Sequence, residues 1–364
     1  MRFVLSLLLI LLLAGAGAAA YLWYAVEKPY GTIPAQGMFV EIPHGASRRG
    51  VSHILGQNGI IRSAVAFEIY ARRHPRRTLV AGEYFFDHAM SGKDVFWKLA
   101  HGEIFQQPFT VHEGDTIFDI AANLEAAKYM KGSEFLEAAR DASQIQDIAP
   151  GAPTLEGFLF PATYNLPHNM KARDLTAMMV RNFREEMQHI APNLLNEGVG
   201  LPPSPVFRAV TLASLVESET PKPEERPLVA GVYTNRQLKG MLLQCDPTVV
   251  YALKQQNKYN PPLTFADLRV DSPYNTYVHT GYPPGPIGNP GESSLRAALH
   301  PAQTDYLYFV ANTQGGHFFA ATLAEHNQNV AKYHRLLNGQ PADPPPSPAP
   351  IAARGSASAH KGKR

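Results

Sequence analysis

Two glutamates, Glu217 and Glu219, close the stretch Val206-Phe207-Arg208-Ala209-Val210-Thr211-Leu212-Ala213-Ser214-Leu215-Val216. Carboxylates are seldom set among large apolar side chains without a partner or a task. Burial raises a glutamate pKa above its ordinary value of about 4.3, which keeps a proton available at neutral pH. General acid catalysis needs that property. On a helix at ~100° per residue, Glu217 falls beside Val210 and Ala213, and Glu219 beside Arg208, Leu212 and Leu215. Periodicity favours Glu217 for depth and Glu219 for the mixed surroundings of a cleft wall. Pro221 could unwind the helix end, so spacing leaves the choice open. Two ordinary solvated acids at a helix end are the plain alternative.

A second set of residues lies downstream. Gln244-Cys245-Asp246-Pro247-Thr248 is a polar turn feeding an apolar strand or helix through Val249, Val250 and Tyr251. Ser272-Pro273-Tyr274-Asn275-Thr276-Tyr277 and the segment from Thr280 to Gly291, which includes Asn289, form a loop pair rich in Tyr, Asn, Thr, Pro and Gly. Aromatic faces stack on apolar sugar faces, and amides and hydroxyls bond sugar hydroxyls. Proline lowers the cost of ordering such loops. Cys245 has no histidine near it in sequence and is not expected to be a nucleophile. The histidines form no HExxH or similar ligand pair, so neither a metal nor a cofactor is expected. His317, after Gly315-Gly316, reads as a core or site-lining residue.

These residues need elements to hold them. Pro205 suits a first helical position with Ser204 as cap, which predicts a buried helix over 206–219. Apolar positions 175, 178, 179, 183, 187 and 190 predict another helix. Tyr306 to Val310 reads as a core strand, and Gly315-Gly316 as a hairpin into the next strand. The first half carries a weak repeat. Phe39 to Ser47 and Phe109 to Thr116 each read as strand, Gly turn, Ser/Thr cap and amphipathic helix. The second copy runs on into a helix opening at Ser133-Glu134. This order resembles a LysM carbohydrate-binding module. Between the copies, Ala81 to Phe86 reads as a strand and Ser91 to Leu99 as a capped helix. Arg72, Arg73, Arg76 and Arg77 cluster, either as a solvated face or as a contact for anionic headgroups or polymer. Ala149-Pro150-Gly151-Ala152-Pro153 marks a composition shift and a boundary.

The ends differ from this middle. Phe3 to Val26 holds no charged residue, about 36 Å of helix, enough to cross a bilayer core of ~30 Å. A cleavable signal is the rival, given Ala14-Gly15-Ala16-Gly17-Ala18, but the apolar run continues through Tyr21, Leu22, Trp23 and Tyr24. From Asn338 the chain is rich in proline and small residues and reads as a disordered tail. A net charge of +2 over 364 residues argues against nucleic acid as a partner, and one cysteine excludes an internal disulfide.

The chain therefore reads as α+β: a transmembrane helix over 1–26, a small LysM-like α+β region over 27–150, a mixed α+β catalytic domain over 151–337, and a tail over 338–364. Several segments together resemble the membrane-anchored endolytic murein transglycosylases, the MltG or YceG-like family. They are Leu155-Glu156-Gly157-Phe158-Leu159-Phe160-Pro161, Ala213 to Thr220, Asn235-Arg236, Leu243 to Thr248, Tyr274 to Tyr277, Gly281 to Ile287, His300-Pro301-Ala302, Gly315-Gly316-His317 and His326-Asn327.

The resemblance covers roughly residues 37 to 336. It implies cleavage of nascent peptidoglycan strands between N-acetylmuramic acid and N-acetylglucosamine, leaving 1,6-anhydro ends and terminating elongation. It implies a location on the periplasmic side of the bacterial inner membrane and peptidoglycan synthases (penicillin-binding proteins) as partners. The family's essential acid matches Glu219. Glu217, Glu156, Gln244, Asp246, Thr248, Tyr274, Asn275, Thr276 and Tyr277 become supporting or substrate-binding candidates, joined by Asn289 from the same rigid loop. Two positions depart from the pattern: Ala162 stands where the family usually has Asp, and Cys245 where it often has Thr. A non-catalytic wall-binding scaffold and a hydrolase using Glu217 and Glu219 as a pair are the rival functions. Anhydro chain ends separate both from a lytic enzyme.

Overall fold

The structure, a computed structural model, describes residues 2–196 and 203–342. The expected tail lies outside the described residues from position 343 onward. Among the described residues the fold is α+β, with twelve α-helices and three two-stranded antiparallel sheets. The chain forms two compact units. The first holds residues up to Thr110 and Thr163–Lys171, and the second holds Val111–Ala162 and the chain from Ala172.

The first unit opens with α1 (Arg2–Glu27), whose Phe3–Glu27 stretch holds an 18-residue window of mean hydropathy 2.5 and has the length to cross a membrane. Beyond it lie β1 (Met38–Ile42), α2 (Arg48–Gln57), α3 (Ala64–Arg72), β2 (Gly82–Phe86) and α4 (Gly92–His101). β1 and β2 pair with Met38 opposite Phe86 and Ile42 opposite Gly82. Period-two patterning turns Val40, Ile42, Tyr84 and Phe86 inward, onto Leu55, Phe67, Phe96 and Leu99 from the three helices. Each helix start has a hydroxyl cap: Ser47, Ser63 and Ser91 accept from Gly50, Ala66 and Asp94 N–H groups. β3 (Gln107–Thr110) and β4 (Thr163–Leu166) complete the unit as a second antiparallel pair.

The second unit begins with α5 (Ile117–Ala126), started by a capping box between Thr116 and Asp119, and α6 (Gly132–Arg140). The helix expected to be capped at Ser133 instead has Lys131 at its cap, with no side-chain cap bond. Both copies of the repeat thus run strand, helix, helix, strand, with the two strands antiparallel. Next come α7 (Ala172–Ile190), α8 (Pro205–Glu219), α9 (Arg226–Leu238), α10 (Asp246–Gln255) and α11 (Glu292–Leu299). α8 is the hub, packed on by α9, α10 and α11, and every residue from Val210 to Val216 is buried. The strand expected at Tyr306–Val310 forms as β5 (Tyr308–Ala311), paired with β6 (His317–Ala320). It is half-buried rather than a core strand, because its sheet has two strands and α12 (Leu323–Leu337) packs against it at the surface.

Candidate active site

The sequence around α8 dictates both its ends. Ser204 Oγ accepts from Phe207 N–H (3.1 Å) and donates to the Ile148 carbonyl (2.6 Å), so the cap also ties the helix to the preceding segment. Pro205 occupies the first turn, where its missing N–H costs nothing. At the other end Thr220 is extended, as a residue before proline tends to be. The helix therefore stops just after Glu219.

The two glutamates meet different surroundings. The Glu217 side chain is 5% exposed. Arg226 Nη2 donates to its Oε1 (2.7 Å) and Gly291 N–H donates to its Oε2 (2.9 Å). Burial pushes this carboxyl upward, while Gly291 N–H and Arg226 pull against that. Both oxygens are occupied, so Glu217 latches α8 to α9 and to the 286–291 loop and offers no free carboxylate for a hydrolytic pair.

Glu219 sits at the helix end, half-open as a residue but with its carboxyl enclosed. Tyr233 of α9 donates its hydroxyl to Glu219 Oε1 at 2.6 Å, and the Cys245 thiol is a second hydrogen-bonding neighbour. Burial raises the Glu219 pKa, helped by the negative charge of Asp246 and opposed by Tyr233, Cys245 and His317. The group is a carboxylic acid with a reason to hold its proton. Cys245 itself is fully buried, and burial pushes its thiol well above the ordinary range. That disfavours the thiolate a nucleophile requires.

The Gln244-Cys245-Asp246 turn is held from behind. Cys245 N–H donates to Thr276 Oγ1 (3.0 Å), Thr248 Oγ1 donates to the Cys245 carbonyl (2.7 Å), and Gln244 N–H donates to the Thr276 carbonyl (3.1 Å). Asn275 supports Thr276 in turn, donating to the Leu268 and Val270 carbonyls and accepting from Tyr277 N–H. Thr248, Asn275 and Thr276 are buried at 0–1% exposure, so their atoms are committed to the protein. Tyr274 is also buried, its ring against Tyr251. Gln244, Asp246 and Tyr277 remain accessible, and the Tyr277 hydroxyl donates to Asp246 Oδ1 at 2.5 Å. Gln244 has φ +53°, a left-handed backbone uncommon for a residue other than glycine.

Hollows open on both sides of the Asp246–Tyr277 pair. One, about 330 Å³ and mostly apolar, is lined by Ser218, Asp246, Val250, Tyr251, Leu263 and Ile287. The other, about 320 Å³, is lined by Arg236, Leu243, Gln244, Tyr277, Phe309 and His326.

Glu156 and Asn289 lie deeper, at 2% and 0% exposure. Asn289 Oδ1 accepts from Gly157 and Leu159 N–H groups (2.9 Å each), and its Nδ2 donates to the Asp115 carbonyl (2.8 Å) and Glu156 Oε1 (3.1 Å). Glu156 also accepts from Ile117 N–H at the start of α5. Burial pushes Glu156 up to about 8, against the pull of the Ile117 N–H and the Tyr251 hydroxyl. These two residues knot three loops beneath the site.

Sequence reasoning did not single out Tyr233, Arg226 or Glu225. Arg226 and Glu217 are 9 residues apart and Tyr233 and Glu219 are 14 apart, beyond the reach of a single helix face. The available signal was the buried stripe Val229, Tyr233 and Arg236 on α9, where a tyrosine and an arginine share an apolar face. Arg236 uses that position to donate to the Leu307 (2.6 Å) and Leu243 (2.7 Å) carbonyls, fixing the approach to Gln244. His317 pairs with Glu225 at 2.7 Å. Ala162 lends its carbonyl to Val111 N–H.

The chain matches the YceG-like family over residues 40–332. It belongs to that family. An endolytic murein transglycosylase of Bacillus subtilis is 36% identical to this YceG-like chain, over 81% of it and 84% of the relative. One of Streptococcus pneumoniae serotype 2 is 28% identical, over 91% of this chain and 65% of the relative. A crystal structure of a YceG-like protein from Listeria monocytogenes is similar at 33% identity and a TM-score of 0.53, covering 81% of this chain and 99% of that one.

Proposed function

We propose that this YceG-like chain is an endolytic lytic transglycosylase. It cuts peptidoglycan strands between N-acetylmuramic acid and N-acetylglucosamine and leaves a 1,6-anhydromuramic end. The observation that carries the reading is the Glu219 carboxyl, enclosed at the end of α8, raised by burial and held by the Tyr233 hydroxyl. Relatives named endolytic murein transglycosylase support the substrate class.

One residue serves both steps. Glu219 gives its proton to the glycosidic oxygen as the C1–O bond breaks and oxocarbenium character develops at C1. The resulting carboxylate takes the proton of the muramic C6 hydroxyl as that oxygen bonds C1. The acid is restored and no water is consumed, unlike two-carboxylate hydrolysis. Gln244, Asp246 and Tyr277 present amide, carboxylate and phenol to the sugars. Glu217, Glu156, Thr248, Tyr274, Asn275, Thr276 and Asn289 support the shape.

α1 serves as a single-pass anchor in the inner membrane, with both units on the periplasmic side near the synthases that make the strands. The strand–helix–helix–strand order of residues 38–86 supports a LysM-like role in strand binding. The test is digestion of purified glycan strands by wild type and Glu219→Gln, with products weighed by mass spectrometry. Anhydro-ended products from wild type and a rate about 10²–10⁴-fold lower for the variant are expected. Anhydro ends at the wild-type rate would sink the assignment.

A further inference from the structure

The arginine cluster of the first unit is not absorbed by this function. We infer that Arg73, Arg76 and Arg77 form a foot that binds the phosphate headgroups of anionic phospholipid beside the membrane exit of α1. The inference rests on reading α1 as a span.

The geometry begins with the pairing of α1 and α3. Arg62, just before α3, places its guanidinium over the rings of Tyr24 (4.8 Å) and Tyr30 (4.7 Å). Ala66 packs on Ala25 and Val26, with Tyr70 and Leu22 against them. Ile69, Tyr70 and Arg73 then share a cleft of about 190 Å³ with Leu22, Trp23 and Val26. Ala19 also lines this cleft. Ala66 thus meets α1 at Ala25 and Val26, and the C-terminal end of α3 lines a cleft that reaches back to Ala19.

Counting 20 residues from Phe3 at 1.5 Å each fills a core of about 30 Å and ends at Leu22. Trp23 and Tyr24 then stand at the interface, where such side chains belong. Arg73 lines the cleft that also holds Ala19, Leu22, Trp23, Val26 and Glu27, residues that straddle this interface. Arg76 and Arg77 follow after His74 and Pro75 and are exposed.

The foot is built, and its charge is unspent. Arg48 Nη2 donates to the Pro75 (2.9 Å) and Arg77 (3.1 Å) carbonyls, bracing the loop from α2. Arg77 lies over the Trp97 ring. Arg72 is paired with Glu68 at 2.6 Å, whereas Arg73, Arg76 and Arg77 make no ion pair among the described residues. Glu27, the carboxylate that also lines the cleft, faces Lys93 at 3.7 Å. An apolar cleft lined by Arg73, with Arg76 and Arg77 beyond it, suits a lipid whose acyl end is buried and whose phosphate accepts from arginine.

The experiment uses the full chain in nanodiscs of phosphatidylcholine, with and without phosphatidylglycerol. Lipid retained after detergent release is counted by native mass spectrometry. Wild type is expected to retain phosphatidylglycerol over phosphatidylcholine. Arg73→Gln, Arg76→Gln and Arg77→Gln together should cut that preference on the order of fivefold per arginine. A charge-matched control, Arg140→Gln with Arg181→Gln and Arg269→Gln on exposed surface of the second unit, should keep it. Equal retention of the two lipids by wild type, or equal loss in the control, overturns the foot. A chain that fails to stay in the nanodisc overturns the span instead, so the two failures are distinguishable.

Discussion

Burial lifts the Glu219 carboxyl, and the Tyr233 hydroxyl at 2.6 Å works against that lift. An acid catalyst is lost as pH rises through its pKa, so the alkaline limb of kcat/KM belongs to Glu219 in this reading. Tyr233→Phe removes a donor that favours the carboxylate. The limb should move to higher pH while the plateau falls, and a pH series of anhydro-end formation checks both. An unmoved limb would mean that the hydroxyl does not touch the reacting acid in solution. Glu156 answers to a different readout. Its folded pKa of about 8 lies above the ordinary 4.5, so folding favours its protonated form. That contribution is present below the unfolded pKa and is lost as pH rises through about 8. Glu156→Gln should therefore gain on wild type between those values, by on the order of a few kcal/mol at the alkaline end. Denaturant melts across that range measure it, and parallel curves would refute the buried acid.

At the scale of elements, α8 was legible because its signals are local. Ser204, Pro205 and the apolar run lie within one stretch, and the helix forms where they indicate. Periodicity left the choice between Glu217 and Glu219 open, because Arg226, Gly291 and Tyr233 arrive from other elements. The reading of Tyr306–Val310 as core failed for a related reason. Apolar composition does not say whether a sheet will have two strands or five. Gly157 shows the same limit in the Leu155–Phe160 segment. Its φ is +86°, and a Cβ there would stand 2.6 Å from Pro286 and 2.7 Å from Val210. Gly157→Ala should cost about 2–4 kcal/mol and loosen the turn that Asn289 holds. Thermal melts report the first effect, and a loss of anhydro-end formation in the surviving folded protein reports the second.

At the scale of the molecule, the proposed anchoring by α1 bears on activity through the supply of substrate. Holding an enzyme beside the synthase raises the local concentration of strand without any new contact. A chain lacking residues 2–20 should digest free glycan strands at a rate within about twofold of wild type. The same chain should lose activity on strands still growing from a membrane-bound synthase. Equal loss on both substrates would place the defect in folding rather than in tethering. The repeat in the first half was visible as strand and capped helix. The closing strand of the first copy was legible at Ala81 to Phe86, but that of the second was not, since β4 returns 53 residues after β3 and no local pattern marks that partnership.

Asn289 reaches back 174 residues to Asp115 and 132 to Gly157. Synthesis is directional, so those earlier loops emerge without the amide that joins them. They stay so until the ribosome has passed position 289. Glu217 likewise waits for the N–H of Gly291. Under the proposed anchoring, a nascent chain inserted by its first helix would sit beside the wall without a finished cleft. Its capacity to cut arrives late in its own manufacture, and products halted before residue 289 should be inert toward the strands around them.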